Sequence, residues 1–221
     1  METLLNDVEV RVLGTLIEKE ITTPEYYPLT LNGLTTACNQ KSNRHPVVSY
    51  DEKTVVRALE SLRERGLARQ RTGVDMRVPK HYHLFDEKLG LGRPQIAALC
   101  VLMLRGPQTL GEIRGRSSRL HEFVDLGEVE RVLEGLANRG EGALVVQLPR
   151  QTGRKESRYA HLLMGEPVLE DVEEEGPVDA ALLEVQAESQ RIAALEEQVQ
   201  SLTTELADLR EAFARFKEQF E

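Results

Sequence analysis

One stretch of this chain occurs twice. Residues 51–66 read DEKTVVRALESLRERG and residues 125–140 read DLGEVERVLEGLANRG. A shift of 74 positions lays Val55 on Val129, Arg57 on Arg131, Leu59 on Leu133, Glu60 on Glu134, Leu62 on Leu136, Arg65 on Arg139 and Gly66 on Gly140. The apolar positions recur at helical spacing, so each copy is an amphipathic helix with one inward face. An acidic residue opens each copy and a glycine closes it, as helix starts and stops do. After each comes a β-like run, a polar loop and a second β-like run. Such a duplication restricts the fold to two copies of one small helical module with a hairpin.

The surrounding elements repeat as well. Pro28-Leu29-Thr30-Leu31 and Pro107-Gln108-Thr109-Leu110 correspond at a shift of 79, so the first copy holds five extra residues, in its loop 39–48. Helix one of the first copy opens at Asn6 and buries Val8, Val12, Leu13, Leu16 and Ile17. Helix two follows Thr30 and buries Leu31, Leu34, Ala37 and Cys38. In the second copy the first helix starts at Pro94, with Ile96, Leu99, Cys100 and Met103 inward. Capping boxes, in which two side chains bond each other's free backbone N–H groups, are expected at Asn6/Glu9, Ser49/Glu52, Thr109/Glu112 and Asp125/Glu128. Strands are expected at 67–71, 82–85, 144–148 and 159–163. The fold class is therefore α+β, mostly helical: two tandem winged helix-turn-helix domains at 1–88 and 93–164.

An acidic, Pro-flanked linker follows at 165–179, and then the period changes to seven. Val185, Ile192, Val199, Leu206, Phe213 and Phe220 form one series, and Leu195, Leu202, Leu209 and Phe216 the other. β-branched residues at one seam position with Leu at the other favour a parallel two-stranded coiled coil over 180–221. Self-association as a dimer is expected from it. The defect is Glu188, which falls on the seam.

Charge sharpens the division. The formal net charge is −9. Residues 1–164 carry 24 Lys/Arg and 21 Asp/Glu, a net of +3, and residues 165–221 carry 4 and 16, a net of −12. The body is mildly basic and the tail strongly acidic, so only clustered cations speak for nucleic acid. No apolar run approaches the roughly 18 residues of a membrane span. METLLNDVEV has neither the basic start nor the apolar stretch of a signal peptide, and a cytoplasmic location with no membrane partner is expected. Cys38 and Cys100 read as buried thiols.

No catalytic pattern is present: there is no glycine-rich phosphate loop, no GxSxG and no HExxH. A non-enzyme without a cofactor is expected. His81 and His83 share one face of a strand, a spacing metals use, but no Cys or carboxylate stands at ligand spacing beside them, so a structural role is expected. The residues that fit an anionic or polar partner are cationic and amide side chains in loops and on the third helix. They are Asn39, Gln40, Lys41, Asn43 and Arg44 in the inserted loop, and Lys53 and Arg57 at i, i+4 on the helix. Arg71 and Lys80 in the first wing, and Arg150, Arg154, Lys155 and Arg158 in the second, complete the set. Loops and wings commonly meet phosphates. Acidic neighbours Glu52, Glu60 and Glu64 weigh against it. A loop folded on itself through side-chain to backbone bonds is the competing reading for Asn39–Arg44.

The stretch EKEITTPEYYPLTLNGLTTACNQKSNRHPV, with Glu18, Pro24, Tyr27, Pro28, Asn32, Ala37, Cys38, Asn39, Gln40, Lys41, Ser42, Asn43, Arg44 and Pro46, resembles the signature of the YceH-like family of bacterial proteins. Leu148-Pro149-Arg150 through Gly153, Glu156, Arg158, Tyr159 and His161 resembles that family's other recurrent stretch. The resemblance spans residues 4–164 and implies two tandem winged-helix domains without implying an activity. Val74-Asp75-Met76 in the first wing departs from the small polar residues of the family. Two functional readings follow. One is a DNA-binding or transcription-associated protein dimerised by its tail; the other is a protein–protein adaptor built on the same domains.

Overall fold

The computed structural model describes residues 4–73, 78–140, 142–150 and 156–167. The heptad tail and nearly all of the acidic linker lie outside these, as do Arg154 and Lys155. The first repeat holds α1 (Asp7–Thr22), a short 3-10 turn (Pro24–Tyr26), β1 (Leu29–Thr30), α2 (Leu31–Cys38), α3 (Glu52–Glu64), β2 (Ala68–Arg71) and β3 (Lys80–His83). A short α4 (Phe85–Leu89) leads to α5 (Arg93–Arg105), α6 (Leu110–Arg116), α7 (Leu126–Ala137), β4 (Val145–Gln147) and β5 (Tyr159–His161). This is an α+β fold, with seven α-helices among the described residues and small antiparallel sheets.

The sheets are built alike. In the first half the order is β1-β3-β2, with Leu29 opposite His81 and Ala68 opposite His83. In the second half β4 pairs with β5, and Gln108, the counterpart of Leu29, bridges to Tyr159. The duplicated helix also keeps its facing. Val55 and Val129, Leu59 and Leu133, and Leu62 and Leu136 are buried, while Arg57, Arg131, Glu60 and Glu134 are exposed.

Helix starts follow local chemistry with two departures. Asn6 with Glu9, and Thr109 with Glu112, are capping boxes as expected, and Thr30 caps α2 by accepting from Gly33 N. Ser49 does not cap α3. Asp51 does, accepting from Thr54 N at 2.8 Å, because the chain before it stays extended and Tyr50 O, the acceptor Thr54 N would need in a longer helix, already accepts from Asn39 Nδ2. Asp125 caps α7, but Glu128 turns its carboxylate to Val124 N rather than back to the cap. The two stop signals also differ: Gly66 takes the left-handed conformation at φ 66°, whereas after α7 that conformation falls on Gly142.

The two repeats share one core. Every residue from Glu9 to Ile17 on α1, and from Ile96 to Leu104 on α5, is buried. A helix enclosed on all sides must be flanked by other elements rather than lie on a surface. α1 packs on α2, α3, β3 and α5, and α5 in turn on α6, α7 and β5. Gly14 makes the α1–α5 approach possible: a Cβ there would stand 3.2 Å from Met103 Cβ and 3.1 Å from Leu104 Cδ2. At the same crossing the Cys100 thiol lies 3.5 Å from Gly14 O.

Candidate phosphate-binding surfaces

The inserted loop is organised from within. Asn39 donates to Tyr50 O and accepts from Tyr50 N, each at 2.8 Å, closing the loop across its base. Arg11, buried on α1, donates to Cys38 O at 3.2 Å and to Pro46 O at 2.7 Å. Arg44 points inward. Its guanidinium meets both Glu18 oxygens, at 3.0 and 2.5 Å, and donates also to Ala37 O, Asn43 O and Gln40 Oε1. Arg44 was expected to face a partner; its side chain is 0 % exposed, so it is a strut of the loop instead. Asn39 and Gln40 are half-buried and spent on the same network. Lys41, Ser42 and Asn43 remain exposed, Asn43 in the left-handed region at φ 59°. Burial pushes the Glu18 carboxyl up, but hydrogen bonds and charge from Arg44 outweigh it and hold it below its ordinary range.

The third helix and the first hairpin present cations outward. Lys53 and Arg57 are exposed, one turn apart on α3. On the hairpin, side chains alternate between faces. Ala68, His81 and His83 are buried on the inner face. Arg69 and Arg71 therefore share the outer face, and the register sets Arg69 opposite Tyr82 and Arg71 opposite Lys80. Like charges directly across an antiparallel pair destabilise it. Among the described residues, no carboxylate forms an ion pair with Arg69, Arg71 or Lys80. A shallow groove beside this face is lined by Tyr27, Pro28, Gln70, Arg71, Thr72 and Tyr82.

The second half spends more of its cations on its own fold. Arg114 donates to Phe123 O and Val124 O, and Arg116 bonds Gln108 Oε1 and pairs with Glu112 at 3.4 Å. Arg131 on α7 donates to Gly127 O, and Glu130 and Glu134 stand exposed around it. Arg150 is exposed and Arg158 half-buried in the second hairpin.

The two strand histidines serve the core. Phe85 N donates to His83 Nδ1 at 3.3 Å, and Nε2 faces Glu20 Oε2 at 2.7 Å. Tyr27 Oη accepts from His83 N. Burial, with Arg63 nearby, lowers the pKa of His81. Burial pushes the Cys38 thiol up to about 11 and raises that of Cys100 further, so both stay protonated. Such thiols are poor nucleophiles. No described helix is long and apolar enough to cross a membrane.

Sequence reasoning missed Arg11 and Arg105. Arg11 lies on α1 between the apolar positions Val8 and Val12, where nothing in the spacing marks a buried guanidinium. Arg105 ends α5 and bonds Asn43 Oδ1 across the junction of the two repeats.

Comparison with known proteins gives one consistent answer. The family described as "Protein of unknown function, DUF480" matches residues 5–154. The chain is 56 % identical to UPF0502 protein GSU0233 of Geobacter sulfurreducens over 221 residues, covering all of both chains. It is 57 % identical to a UPF0502 protein of Geotalea uraniireducens and 52 % to one of Solibacter usitatus, again over the full length of each.

Proposed function

We propose a DNA-binding role for this chain, which belongs to the DUF480 family of bacterial proteins. In this reading each repeat is a winged helix, and the protein is a non-enzymatic, transcription-associated factor dimerised through its heptad tail. The first half reads DNA, with α3 entering the major groove and the β2–β3 hairpin lying along the backbone. The observation that carries it is the outer face of that hairpin. Arg69, Arg71 and Lys80 stand there together, with Arg71 and Lys80 in register across the strands. That arrangement costs the fold stability, and a phosphate backbone supplies the missing counter-charge. Lys53 and Arg57 on α3 add two exposed cations at the spacing of one helical turn.

The adaptor reading is favoured by one observation on the second half: α7 exposes Glu130 and Glu134, a face that repels phosphate and suits a protein partner. The two readings divide between the halves of the molecule. Fluorescence anisotropy of the full chain with a labelled mixed-sequence duplex, at low and moderate salt, separates them. Binding at low salt that weakens steeply with added salt is expected. Absence of binding at low salt leaves only the adaptor.

A further inference from the structure

The loop 39–48 crosses onto the second repeat at the end of α5. His45 N donates to Leu104 O at 2.8 Å, and the His45 ring lies beside Gly106, 3.9 Å from where a Cβ would be. Asn43 Oδ1 accepts from Arg105 Nη2. Gln108 donates to Arg105 O at 3.1 Å, while its Oε1 accepts from Arg116 Nη1. One neutral amide thus holds the Arg105 guanidinium, and another ties the Arg116 guanidinium to the Arg105 backbone.

The counter-charges nearby are taken. Glu18 is bonded twice to Arg44, and Glu112 pairs with Arg116. Among the described residues no carboxylate pairs with Arg105. Burial, then the charges of Arg116 and Arg44, push the Arg105 pKa down to about 10 against the opposing pull of Glu18 and Glu112. It stays cationic at neutral pH, half-buried and repelled. A partly desolvated charge without a counter-ion is costly, and an anion beside the Arg105 guanidinium removes the cost.

We infer that the junction between loop 39–48 and the α5–α6 turn is a phosphate site, with Arg105 and Arg116 as its cationic groups and His45 at its edge. Guanidiniums suit an anion with several oxygens, because each presents donors in a fixed fork. The ligand chemistry is a phosphate group, whether free or part of a nucleic-acid backbone. The site stands whether or not the β2–β3 hairpin binds DNA.

The test is thermal unfolding of the full chain in sodium phosphate against sodium chloride of matched ionic strength. Phosphate is expected to raise the midpoint beyond chloride, increasingly with concentration. Arg105→Gln is expected to cut the excess to the general salting-out response that phosphate gives any folded chain, and Arg116→Gln to reduce it. Asn43→Asp places a built-in carboxylate against Arg105, so it is expected to raise the midpoint in chloride and lower the response to phosphate to that same general level. Asp tolerates the left-handed backbone of that position almost as well as Asn. Equal midpoints in phosphate and chloride, or a response undiminished by both Arg105→Gln and Asn43→Asp, overturn the site. Should Arg105→Gln not fold, Asn43→Asp and Arg116→Gln decide alone. A duplex titration of the same variants identifies the source: affinity reduced roughly tenfold or more points to backbone phosphate, and unchanged affinity to a free phosphate.

Discussion

Arg44 and Glu18 meet as a two-pronged ion pair, 26 residues apart, with the arginine side chain wholly buried and the carboxylate only 14 % exposed. The pair fastens the inserted loop to α1, and the loop in turn reaches α5. Removing Arg44 leaves the Glu18 carboxylate with Lys19 alone, 3.5 Å away, at a cost of about 3 kcal/mol. Arg44→Ala is expected to lose most of that in urea unfolding, and Arg44→Lys a large part, since an ammonium cannot bond both oxygens in parallel. Lys41→Ala, on the exposed side of the same loop, is expected to change stability by less than about 0.5 kcal/mol. Equal losses for Arg44 and Lys41 would show that the loop is held by something else.

The pair also sets an acid limit. Glu18 titrates below its ordinary range in the folded chain, so it binds fewer protons there than when unfolded. Its stabilisation is present above the unfolded carboxylate pKa and is lost as pH falls through the folded value. His161 works over a higher range. Burial lowers its pKa from 6.5 to about 4, with Asp7 opposing, so it folds neutral. Between pH 6.5 and 4 the unfolded chain takes up the proton and the folded one does not, and stability falls with pH. Urea midpoints of His161→Gln should decline less between pH 7 and 4.5 than those of the unsubstituted chain. Parallel declines would rule out His161 as a contributor.

Gly14 limits how closely α1 and α5 approach. Met103 Cβ is fixed to its own helix and cannot step aside from an added side chain. Gly14→Val is expected to cost about 1–3 kcal/mol through overpacking, even though glycine itself is a weak helix former. A stability at or above that of the unsubstituted chain would mean that the helices separate freely.

The hairpin makes stability and binding trade against each other. Lys80→Thr removes the like charge opposite Arg71 and adds a β-branched residue to a strand. It is expected to raise stability by about 0.2–1 kcal/mol while weakening duplex affinity. A variant that loses both stability and affinity would indicate that Lys80 supports the fold.

Much of the architecture could be read from residue spacing, because it rests on local rules. The capping pairs Asn6/Glu9 and Thr109/Glu112, and the inward faces of α3 and α7, follow from helical periodicity alone. Misreadings arose where a distant group decided. Ser49 yields the cap to Asp51 because Asn39, across the loop, occupies Tyr50 O. The strand expected to end at Phe85 ends at His83, and Phe85, fully buried, instead opens α4, which Gly90 closes at φ 60°. Among the candidate contacts, Lys53, Arg57 and Arg71 lie exposed, as simple periodicity implied. Arg44 does not, since only the fold brings Glu18 to it, and the phosphate site at Arg105 needs both repeats in place.

DNA binding by this chain depends most on cations of the first half meeting phosphate. The direct measure is the slope of log affinity against log salt for duplex binding, compared between the unsubstituted chain and one with Lys53, Arg57, Arg69 and Arg71 all changed to Gln. Each phosphate contact contributes roughly 0.9 to that slope, so a reduction by about 3–4 is expected. A slope unchanged by the four substitutions would contradict the assignment of this surface to DNA.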